Sequence, residues 1–432
     1  MQSNYRRIGD YIDLVDERNK DLSIDLLLGL SISKEFIPSV ANIVGTNMAN
    51  YKIIRKGQFA CSIMQVRRDK KIPVALLEDH EIGIISQAYP IFKIKDESEL
   101  LPQYLMMWFS RPEFDREACF YAVGGVRGSL EWEDFCNMKL PVPSIEKQRE
   151  MVAEYNTVVN RIKLSEQLNQ KLEETAQAIY RRWFVEFEFP ISKEQAAEMG
   201  KLELEGKPYK SSGGKMAWNE ELGMEVPEGW IVYNLGDKCS KIGSGSTPRG
   251  GRESYRESGI SLIRSMNIHD YNFEAKELAF ISSKQAAKLK NVEVLENDIL
   301  FNITGASVAR CTKVPTNVLP ARVNQHVAII RTRDLCYSNY LMSTLCSEEN
   351  KRRLIGISDS GSTREAITKD DLEKFKIPFP DKTVCIDFDN IFNSLFKHRE
   401  SLTNESQALS IFNMLLLSKM TKAELEKERE VI

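Results

Sequence analysis

The stretch Leu140-Pro141-Val142-Pro143 stands directly before a long heptad pattern, and Ile377-Pro378-Phe379-Pro380 stands before a second one. The two stretches are 237 residues apart, and matching segments precede both of them in the same order. Leu130-Glu131-Trp132-Glu133-Asp134-Phe135 corresponds in this way to Ile367-Thr368-Lys369-Asp370-Asp371-Leu372. Similarity that keeps its register over a long stretch is typical of a duplicated domain. The sequence therefore predicts two repeats of one globular domain, each followed by a long helix.

Each repeat mixes strand-like runs with shorter helical patterns, which predicts an α+β domain. The repeat extends back to Gly9-Asp10 and Gly236-Asp237, and it includes Gln87 and Gln325. Both glutamines fall inside apolar runs, so we interpret them as structural residues. The predicted strands include residues 60–66, 83–94, 298–303 and 323–332, and the predicted short helices are residues 102–109 and 338–346.

The pattern after each repeat places apolar residues alternately three and four positions apart, which indicates a helix with a heptad seam. Two arrangements fit such seams. Each helix could pack on its own domain, or the two could pair as a spacer. We favour the pair, because both seams are too long for a helix that only caps a domain. If a pseudo-two-fold axis relates the repeats, the two helices form an antiparallel coiled coil.

Five segments follow from these patterns. The stretch between the first helix and Pro227-Glu228-Gly229-Trp230 is acidic and resembles a connector. The predicted segments are a first globular domain at 1–144, a first spacer helix at 145–190, a connector at 191–229, a second globular domain at 230–380, and a second spacer helix with a short C-terminal tail at 381–425.

Composition narrows the class of protein. The 432 residues are 42% hydrophobic and 28% charged, which is typical of a soluble globular chain. The eight cysteines form no Cys-x-x-Cys pair and the chain has only four histidines, so we expect neither a metal site nor disulfides. Neither a secretory signal nor a membrane segment is recognisable. These features predict a cytoplasmic protein.

Charge is distributed unevenly along the chain. The whole sequence carries a net charge of −3, whereas residues 230–380 carry +5 and residues 1–144 carry −2. A polyanion would therefore bind through a few focused cationic loops, or with the help of a basic partner.

Catalytic motifs are missing from the sequence. It contains neither a phosphate-binding loop of the Gly-x-x-x-x-Gly-Lys-[Ser/Thr] type nor a His-Glu-x-x-His pair, and it lacks the Asn-Pro-Pro-[Phe/Tyr] motif of adenine methyltransferases. The glycine-rich segment 243–251 lacks the lysine of a phosphate loop. We therefore predict a protein without catalytic residues, metal ligands or a cofactor of its own.

What remains is two similar domains on a spacer, with arginines in loops beside small polar residues. Major-groove reading uses arginine, asparagine and glutamine, while hydroxyl groups and cations hold phosphates. The candidate DNA-binding residues of the first domain are Gln65, Arg67, Arg68, Lys70, Lys71 and Arg127. Those of the second domain are Ser246, Thr247, Arg249, Arg252, Arg310, Arg322 and Arg364.

The order of these segments resembles the specificity subunits of type I restriction–modification systems. The segments that carry the resemblance are Pro227–Trp230, Leu235-Gly236-Asp237, Gly243-Ser244-Gly245-Ser246-Thr247-Pro248, Leu262–Ile268, Asn297–Gly305, Ile377–Pro380 and, in the first repeat, Leu140–Gln148. The likeness covers nearly the whole chain. The first repeat departs from it, since it lacks both the Pro-x-Gly-Trp opening and the Gly-Ser-Thr-Pro loop.

The resemblance implies that each recognition domain reads one half of a bipartite, gapped site in double-stranded DNA. It also implies two modification subunits that bind S-adenosylmethionine and methylate adenine N6, and restriction and motor subunits that use ATP and Mg²⁺. This chain would be the non-catalytic subunit of that methyltransferase and nuclease complex. The alternative is a protein–protein scaffold whose duplicated domains hold two identical partners without touching DNA.

Overall fold

The structure is a computed structural model that describes residues 5–39, 46–64, 66–122, 128–247, 251–360 and 366–420, apart from the side chains of 252 and 358–360. The chain divides into two compact units. Unit 1 comprises Met1–Glu166 and Thr403–Ile432, and unit 2 comprises Gln167–Leu402.

Unit 1 contains the first repeat. Its described strands are β1 (Tyr5–Arg7), β2 (Ile12–Val15), β3 (Leu28–Leu30), β4 (Phe36–Pro38), β5 (Lys52–Arg55), β6 (Phe59–Cys61), β7 (Val74–Leu76), β8 (Ile82–Ile85), β9 (Ile91–Ile94) and β10 (Lys139–Pro141). Its helices are α1 (Val66–Asp69), α2 (Pro102–Phe109), α3 (Pro112–Tyr121), α4 (Trp132–Asn137) and the first part of α5 (Ile145–Tyr180).

Unit 2 contains the connector and the second repeat. Its described strands are β11 (Met216–Asn219), β12 (Met224–Pro227), β13 (Ile231–Asn234), β14 (Cys239–Ser244), β15 (Ile260–Ile263), β16 (Ile268–His269), β17 (Asn272–Phe273), β18 (Ala279–Ile281), β19 (Glu293–Val294), β20 (Ile299–Asn302), β21 (Cys311–Lys313), β22 (Ala321–Val323), β23 (Val327–Thr332) and β24 (Lys376–Phe379). Its helices are α6 (Lys193–Glu198), α7 (Leu235–Lys238), α8 (Ser283–Lys288), α9 (Ser338–Cys346), α10 (Glu348–Ser360), α11 (Lys369–Glu373) and the first part of α12 (Lys382–Lys419).

The two repeats share the core of their topology, and the second repeat adds a further four-stranded sheet in the order β18-β15-β22-β19. Each has a four-stranded antiparallel sheet, in the order β2-β9-β6-β7 in unit 1 and β14-β23-β20-β21 in unit 2. In each, the first and last strands of the repeat also pair, as β1 with β10 and as β13 with β24. The predicted duplication and the α+β class are therefore confirmed.

The repeated Gly-Asp pair marks a close backbone approach. A Cβ atom on Gly9 would lie 2.8 Å from the Cβ of Cys136, near the end of α4. A Cβ atom on Gly236 would lie 3.2 Å from the Cβ of Glu373, at the end of α11. Because only glycine leaves room for the helix at this distance, the same residue recurs in both repeats.

In unit 1, α5 and the last part of α12 run antiparallel. Met151 and Tyr155 of α5 pack in the same core as Leu417 and Met420, whereas Arg161, farther along α5, pairs with an earlier residue of α12. The Arg161 Nε atom lies 2.8 Å from Oε1 of Glu405. The end of the chain described here thus completes a core built mainly from the first 140 residues.

In unit 2, the rest of α5 and the first part of α12 are also antiparallel. The rings of Tyr180 and Phe388 lie 6.3 Å apart, and Glu173 accepts a 2.9 Å hydrogen bond from Nη2 of Arg399. Arg399 also donates to the carbonyl of Tyr271 at 3.1 Å, so it joins both helices to the second repeat. Burial lowers the pKa of the Arg399 guanidinium, and Glu173 opposes that effect. The prediction that the helices pair is confirmed within each unit.

A buried ion pair stabilises the turn before β20. The Asp298 side chain is fully buried and accepts from Nε and Nη2 of Arg331, on β23, at 2.7 Å each. It also accepts a 2.7 Å hydrogen bond from the backbone N–H of Leu295. The hydrogen bonds that Arg331 donates to Asp298 raise the pKa of Arg331. The Asp298 carboxylate therefore joins the turn before β20 to the neighbouring strand β23.

Two of the predicted long strands are interrupted. Residues 83–94 fall in β8 and β9, which are separated by a turn that contains Gln87, and residues 323–332 are broken at Gln325. Both glutamines are exposed. The placement of Gln87 and Gln325 inside apolar strands is therefore wrong, because both lie at the surface in turns between strands. The predicted helices 102–109 and 338–346 are confirmed as α2 and α9.

The connector and the second repeat share one hydrophobic core. Tyr209 of the connector and Trp230 of the second repeat both stack on the ring of Phe189, at 4.6 and 5.6 Å. The predicted segment limits stay predictions, and the compact units do not coincide with them, since each unit includes part of both long helices.

Candidate nucleic-acid interface

Three loops of unit 2 meet at one end of its four-stranded sheet. They are residues 245–247 after β14, 303–307 after β20 and 324–326 before β23, which we call the loop end of unit 2. The Gly245 N–H donates to the Asn324 carbonyl at 3.1 Å, and the Ile303 N–H donates to the His326 carbonyl at 3.0 Å. Because neighbouring strands are antiparallel, the end of one and the start of the next lie side by side, which brings these loops together.

The loop end of unit 2 carries a chain of polar side chains. The Thr247 hydroxyl donates to Oε1 of Gln325. Nε2 of Gln325 lies 3.1 Å from Nε2 of His326, whose Nδ1 lies 2.7 Å from the Thr304 hydroxyl. The tautomer of His326 that carries its proton on Nδ1 satisfies both of its contacts, because it donates to Thr304 and accepts from Gln325. The three loops are therefore joined by side chains as well as by backbone.

Gly245 allows the first of these loops to pass against the third. A Cβ atom at this position would lie 1.7 Å from the carbonyl oxygen of Val323. Any side chain would therefore displace the backbone. The glycine of the Gly-Ser-Thr segment is required by this contact, and phosphate binding is not needed to explain it.

The structure separates the two described arginine candidates of unit 2. Arg310 is half-buried near the loop end, where its backbone carbonyl accepts from the Asn302 N–H at 2.9 Å and its Nη1 lies 3.5 Å from Nδ1 of His269.

Arg322 is buried, and its guanidinium is already in contact with protein groups. Nε donates to the Ala286 carbonyl at 3.2 Å, and Nη1 lies 3.3 Å from Oε1 of Glu293. The side chain joins β22 to β19 and α8. The predicted DNA contact therefore conflicts with its position, and we leave Arg322 out of the proposed interface.

In unit 1 the cationic candidates lie on α1 and the turn after it. Arg67, Arg68, Lys70 and Lys71 are all exposed. Arg68 forms a two-point pair with Asp69, at 2.7 and 3.2 Å, and this hydrogen bonding raises the pKa of Arg68 and lowers that of Asp69. The charge that unit 1 presents at this turn therefore comes mainly from Arg67, Lys70 and Lys71. We call these three residues the basic turn.

Buried contacts support the basic turn from both sides. The Arg67 N–H donates to the Gly128 carbonyl at 3.3 Å, and a Cβ on Gly128 would lie 2.5 Å from that of Arg67. Asp115 accepts from the Ile72 N–H at 3.1 Å and pairs with Nζ of Lys34 at 2.9 Å. Burial lowers the pKa of Lys34, and the hydrogen bond to Asp115 opposes that effect.

An exposed aromatic residue near the basic turn was missed by the sequence reasoning. Phe120, on α3, is 81% exposed and contacts Tyr121 edge-to-face at 5.4 Å. The preceding residue, Cys119, has its sulfur 3.5 Å from the carbonyl of Val66, on α1. Exposed rings beside cations are common where proteins contact bases. The helical pattern of α3 contained the signal, because Phe120 lies off its apolar face.

The remaining candidates are placed as follows. Ser246 is exposed and Thr247 is half-buried in the loop end of unit 2. Gln65, Arg127, Arg249, Arg364 and the side chain of Arg252 lie outside the described residues. Ala366 forms a β-bridge with Thr304, so residue 366 lies beside the loop end of unit 2.

Two further properties concern only the described residues. Among them, no three His, Cys, Asp or Glu side chains are grouped closely enough to hold a metal ion. No described helix combines the length and the apolar character needed to cross a bilayer.

Comparison with known proteins finds similarity to the specificity subunits of type I restriction enzymes. Residues 227–398 match the family described as the type I restriction modification DNA specificity domain. The type I restriction enzyme MjaIX specificity subunit of Methanocaldococcus jannaschii is 25% identical over 360 residues, which is 80% of this chain and 70% of that protein. The HindI specificity subunit of Haemophilus influenzae is 22% identical over 410 residues, covering 87% and 88%.

A solved structure has the same fold. The S subunit of a type I restriction–modification system from M. genitalium aligns with a TM-score of 0.58 at 13% identity. The alignment covers 96% of this chain and 95% of that one.

Proposed function

This chain belongs to the family of type I restriction–modification specificity subunits, and we propose that each of its repeats reads one half of a gapped duplex DNA site. The loop end of unit 2 would read one half, and the basic turn with its neighbouring loops would read the other. The paired helices would set the length of the gap.

One observation carries this proposal. Loops that are far apart in sequence meet at one end of the four-stranded sheet in unit 2, and they bring hydroxyl, amide and imidazole groups together without an apolar cover. Such groups match the hydrogen-bonding edges of bases and the oxygens of phosphates. Because the first repeat has an equivalent four-stranded sheet, β2-β9-β6-β7, unit 1 would provide a second reader.

The proposal assigns the chemistry to partner subunits. Two modification subunits, which bind S-adenosylmethionine, would flip and methylate adenine, and restriction and motor subunits would add ATP- and Mg²⁺-dependent cleavage. This chain would contribute recognition alone.

The direct test is to co-express the chain with the modification subunit and to map methylated adenines across the host genome by single-molecule sequencing. One gapped motif with a methylated adenine in each half is the expected result. A soluble complex that methylates nothing, and that binds duplex DNA without salt dependence, would favour the protein–protein scaffold.

Removing cations from one unit should affect one half-site only. We expect Arg310→Ala to weaken recognition of the half-site read by unit 2, and Lys70→Gln with Lys71→Gln to weaken the other. Each lost phosphate contact lowers the dependence of log K on log salt by roughly 0.9. The measurement is binding of duplexes in which one half-site at a time is scrambled, at several salt concentrations.

The matched control for Arg310→Ala is Arg333→Ala. Arg333 is exposed and directly follows β23, at the opposite end of that strand from the loop end. Its removal should leave the preference between half-sites unchanged. Equal losses at both half-sites from Arg310→Ala would contradict a two-reader arrangement.

We also propose that the exposed apolar residues of α12 bind a modification subunit. Ile411, Phe412, Met414 and Leu415 are 58%, 46%, 58% and 57% exposed, while the neighbouring Leu417 is buried in unit 1. Exposed apolar groups concentrated on one helix are typical of a protein–protein interface.

The double variant Phe412→Glu, Leu415→Glu should therefore lose one modification subunit during co-purification, because it places two charges in an apolar contact. Leu335→Glu, at an exposed leucine of unit 2 (61%), is the control and should retain full stoichiometry. An unchanged stoichiometry in the double variant would place the contact elsewhere.

A further inference from the structure

We propose that Gln325 is a base-reading residue, which recognises an A·T pair in the half-site bound by unit 2. The inference rests on the proposed function and deepens it by assigning one contact of the recognition to one side chain.

A base-reading residue must be exposed among the loops that face DNA, and Gln325 meets this requirement. It is exposed at the turn between β22 and β23, in the middle of the three loops that form the loop end of unit 2. Thr247 contacts it from one loop, and His326 is linked to Thr304 of another. A ligand that approaches this end of the sheet therefore meets the Gln325 amide between hydroxyl groups suited to phosphate.

A residue that reads adenine must also offer one free donor and one free acceptor, and the Gln325 amide offers both. A glutamine carbonyl oxygen accepts two hydrogen bonds, and its nitrogen donates two. Thr247 occupies one acceptor position on Oε1, and His326 accepts one of the two N–H bonds. One acceptor and one donor remain. Adenine presents a donor at N6 and an acceptor at N7 in the major groove, and glutamine pairs with both.

The two protein contacts also hold the amide in place before DNA binds. An exposed glutamine loses side-chain entropy when it forms a base contact, and this loss weakens recognition. Because Thr247 and His326 restrain Gln325, part of that loss is already incurred in the free protein.

The first repeat places a glutamine equivalently. Gln87 is exposed at the turn that precedes β9, the strand equivalent to β23. The recurrence of an exposed glutamine at the same place in both repeats agrees with a role in recognition.

The test compares wild type with Gln325→Ala in complex with the modification subunit. The readouts are the methylated motif and competition binding by duplexes with single base-pair replacements. Wild type should discriminate against replacement of one A·T pair by roughly 5- to 150-fold. In Gln325→Ala that discrimination should fall to near unity, while the second half of the motif is read as before. Gln325→Glu, which only accepts hydrogen bonds, should lose the preference for A·T at the same position.

Discrimination at each position is a ratio, so a general loss of affinity does not obscure it. The intact half of the motif reports that the variant is folded. Gln170→Ala, an exposed glutamine on α5, is the matched control and should leave every position unchanged. If wild type reads a gapped motif and Gln325→Ala reads the identical one, this inference fails while the proposed function stands. If wild type reads no motif at all, the proposed function fails and Gln325 has no base to read.

Discussion

Replacing Asp298 by alanine should lower the free energy of unfolding of unit 2 by about 3 kcal/mol, because it removes one partner of a buried ion pair. The guanidinium of Arg331 is only 26% exposed and would keep its charge, while the Leu295 N–H would lose its acceptor. Urea unfolding followed through the fluorescence of Trp230, in unit 2, measures the effect.

The matched control is Asp370→Ala. Asp370 pairs with Lys374 at 2.7 Å, but both side chains are about 70% exposed, so water replaces the interaction at little cost. We expect a change below about 1 kcal/mol. Comparable losses from the two variants would mean that burial does not determine the contribution of Asp298.

Gly245→Ala should abolish recognition by unit 2 while leaving unit 1 active. The added methyl group would overlap the Val323 carbonyl, and either loop would have to move, together with Thr247 and Gln325. Losing one good base contact costs roughly 1–3 kcal/mol, and displacing a loop affects several contacts at once. We therefore expect at least about a hundredfold weaker binding of that half-site, measured with duplexes that carry it alone.

Gly243→Ala provides the control from the same strand. A Cβ atom on Gly243 would meet no other atom within 4 Å, so DNA binding should persist. Thermal unfolding of both variants separates a local shift of the loop from loss of the fold. If Gly245→Ala keeps full affinity for the half-site, the loop end of unit 2 is not the surface that reads DNA.

The duplication and the helix pairing could be predicted from the sequence, because both depend on patterns that repeat. The proline stretches occupy the same place in each repeat and so located both repeats, and heptad spacing identified α5 and α12. The short turns inside apolar runs could not be predicted. Five residues separate β8 from β9, and they include no glycine, so the run around Gln87 suggested a continuous strand. Only three residues separate β22 from β23, so the run around Gln325 suggested the same.

Part of the interface could be predicted and part could not. Residue type alone selected Lys70, Lys71 and Thr247, because exposed cations and hydroxyls near turns are common in DNA contacts. It also selected Arg322, whose burial depends on β19 and α8 packing around it, and no local pattern reveals that. The sequence pattern did not select Gln325 as a DNA-binding candidate, because apolar residues surround it on both sides. Those apolar residues belong to β22 and β23, whereas Gln325 itself lies in the exposed turn between the two strands.

The contribution of Leu417 and Met420 to the core of unit 1 has a consequence for how the chain is made. A ribosome releases the first repeat before it has made Leu417 and Met420, which complete the core of that repeat. Unit 2 lies between the two parts of unit 1 in the sequence, so it is fully synthesised before Leu417 and Met420. A nascent chain interrupted after the second repeat therefore carries an incomplete first unit with exposed apolar surface, which chaperones and proteases recognise. Unit 1 is complete only once residues 417–420 have been translated.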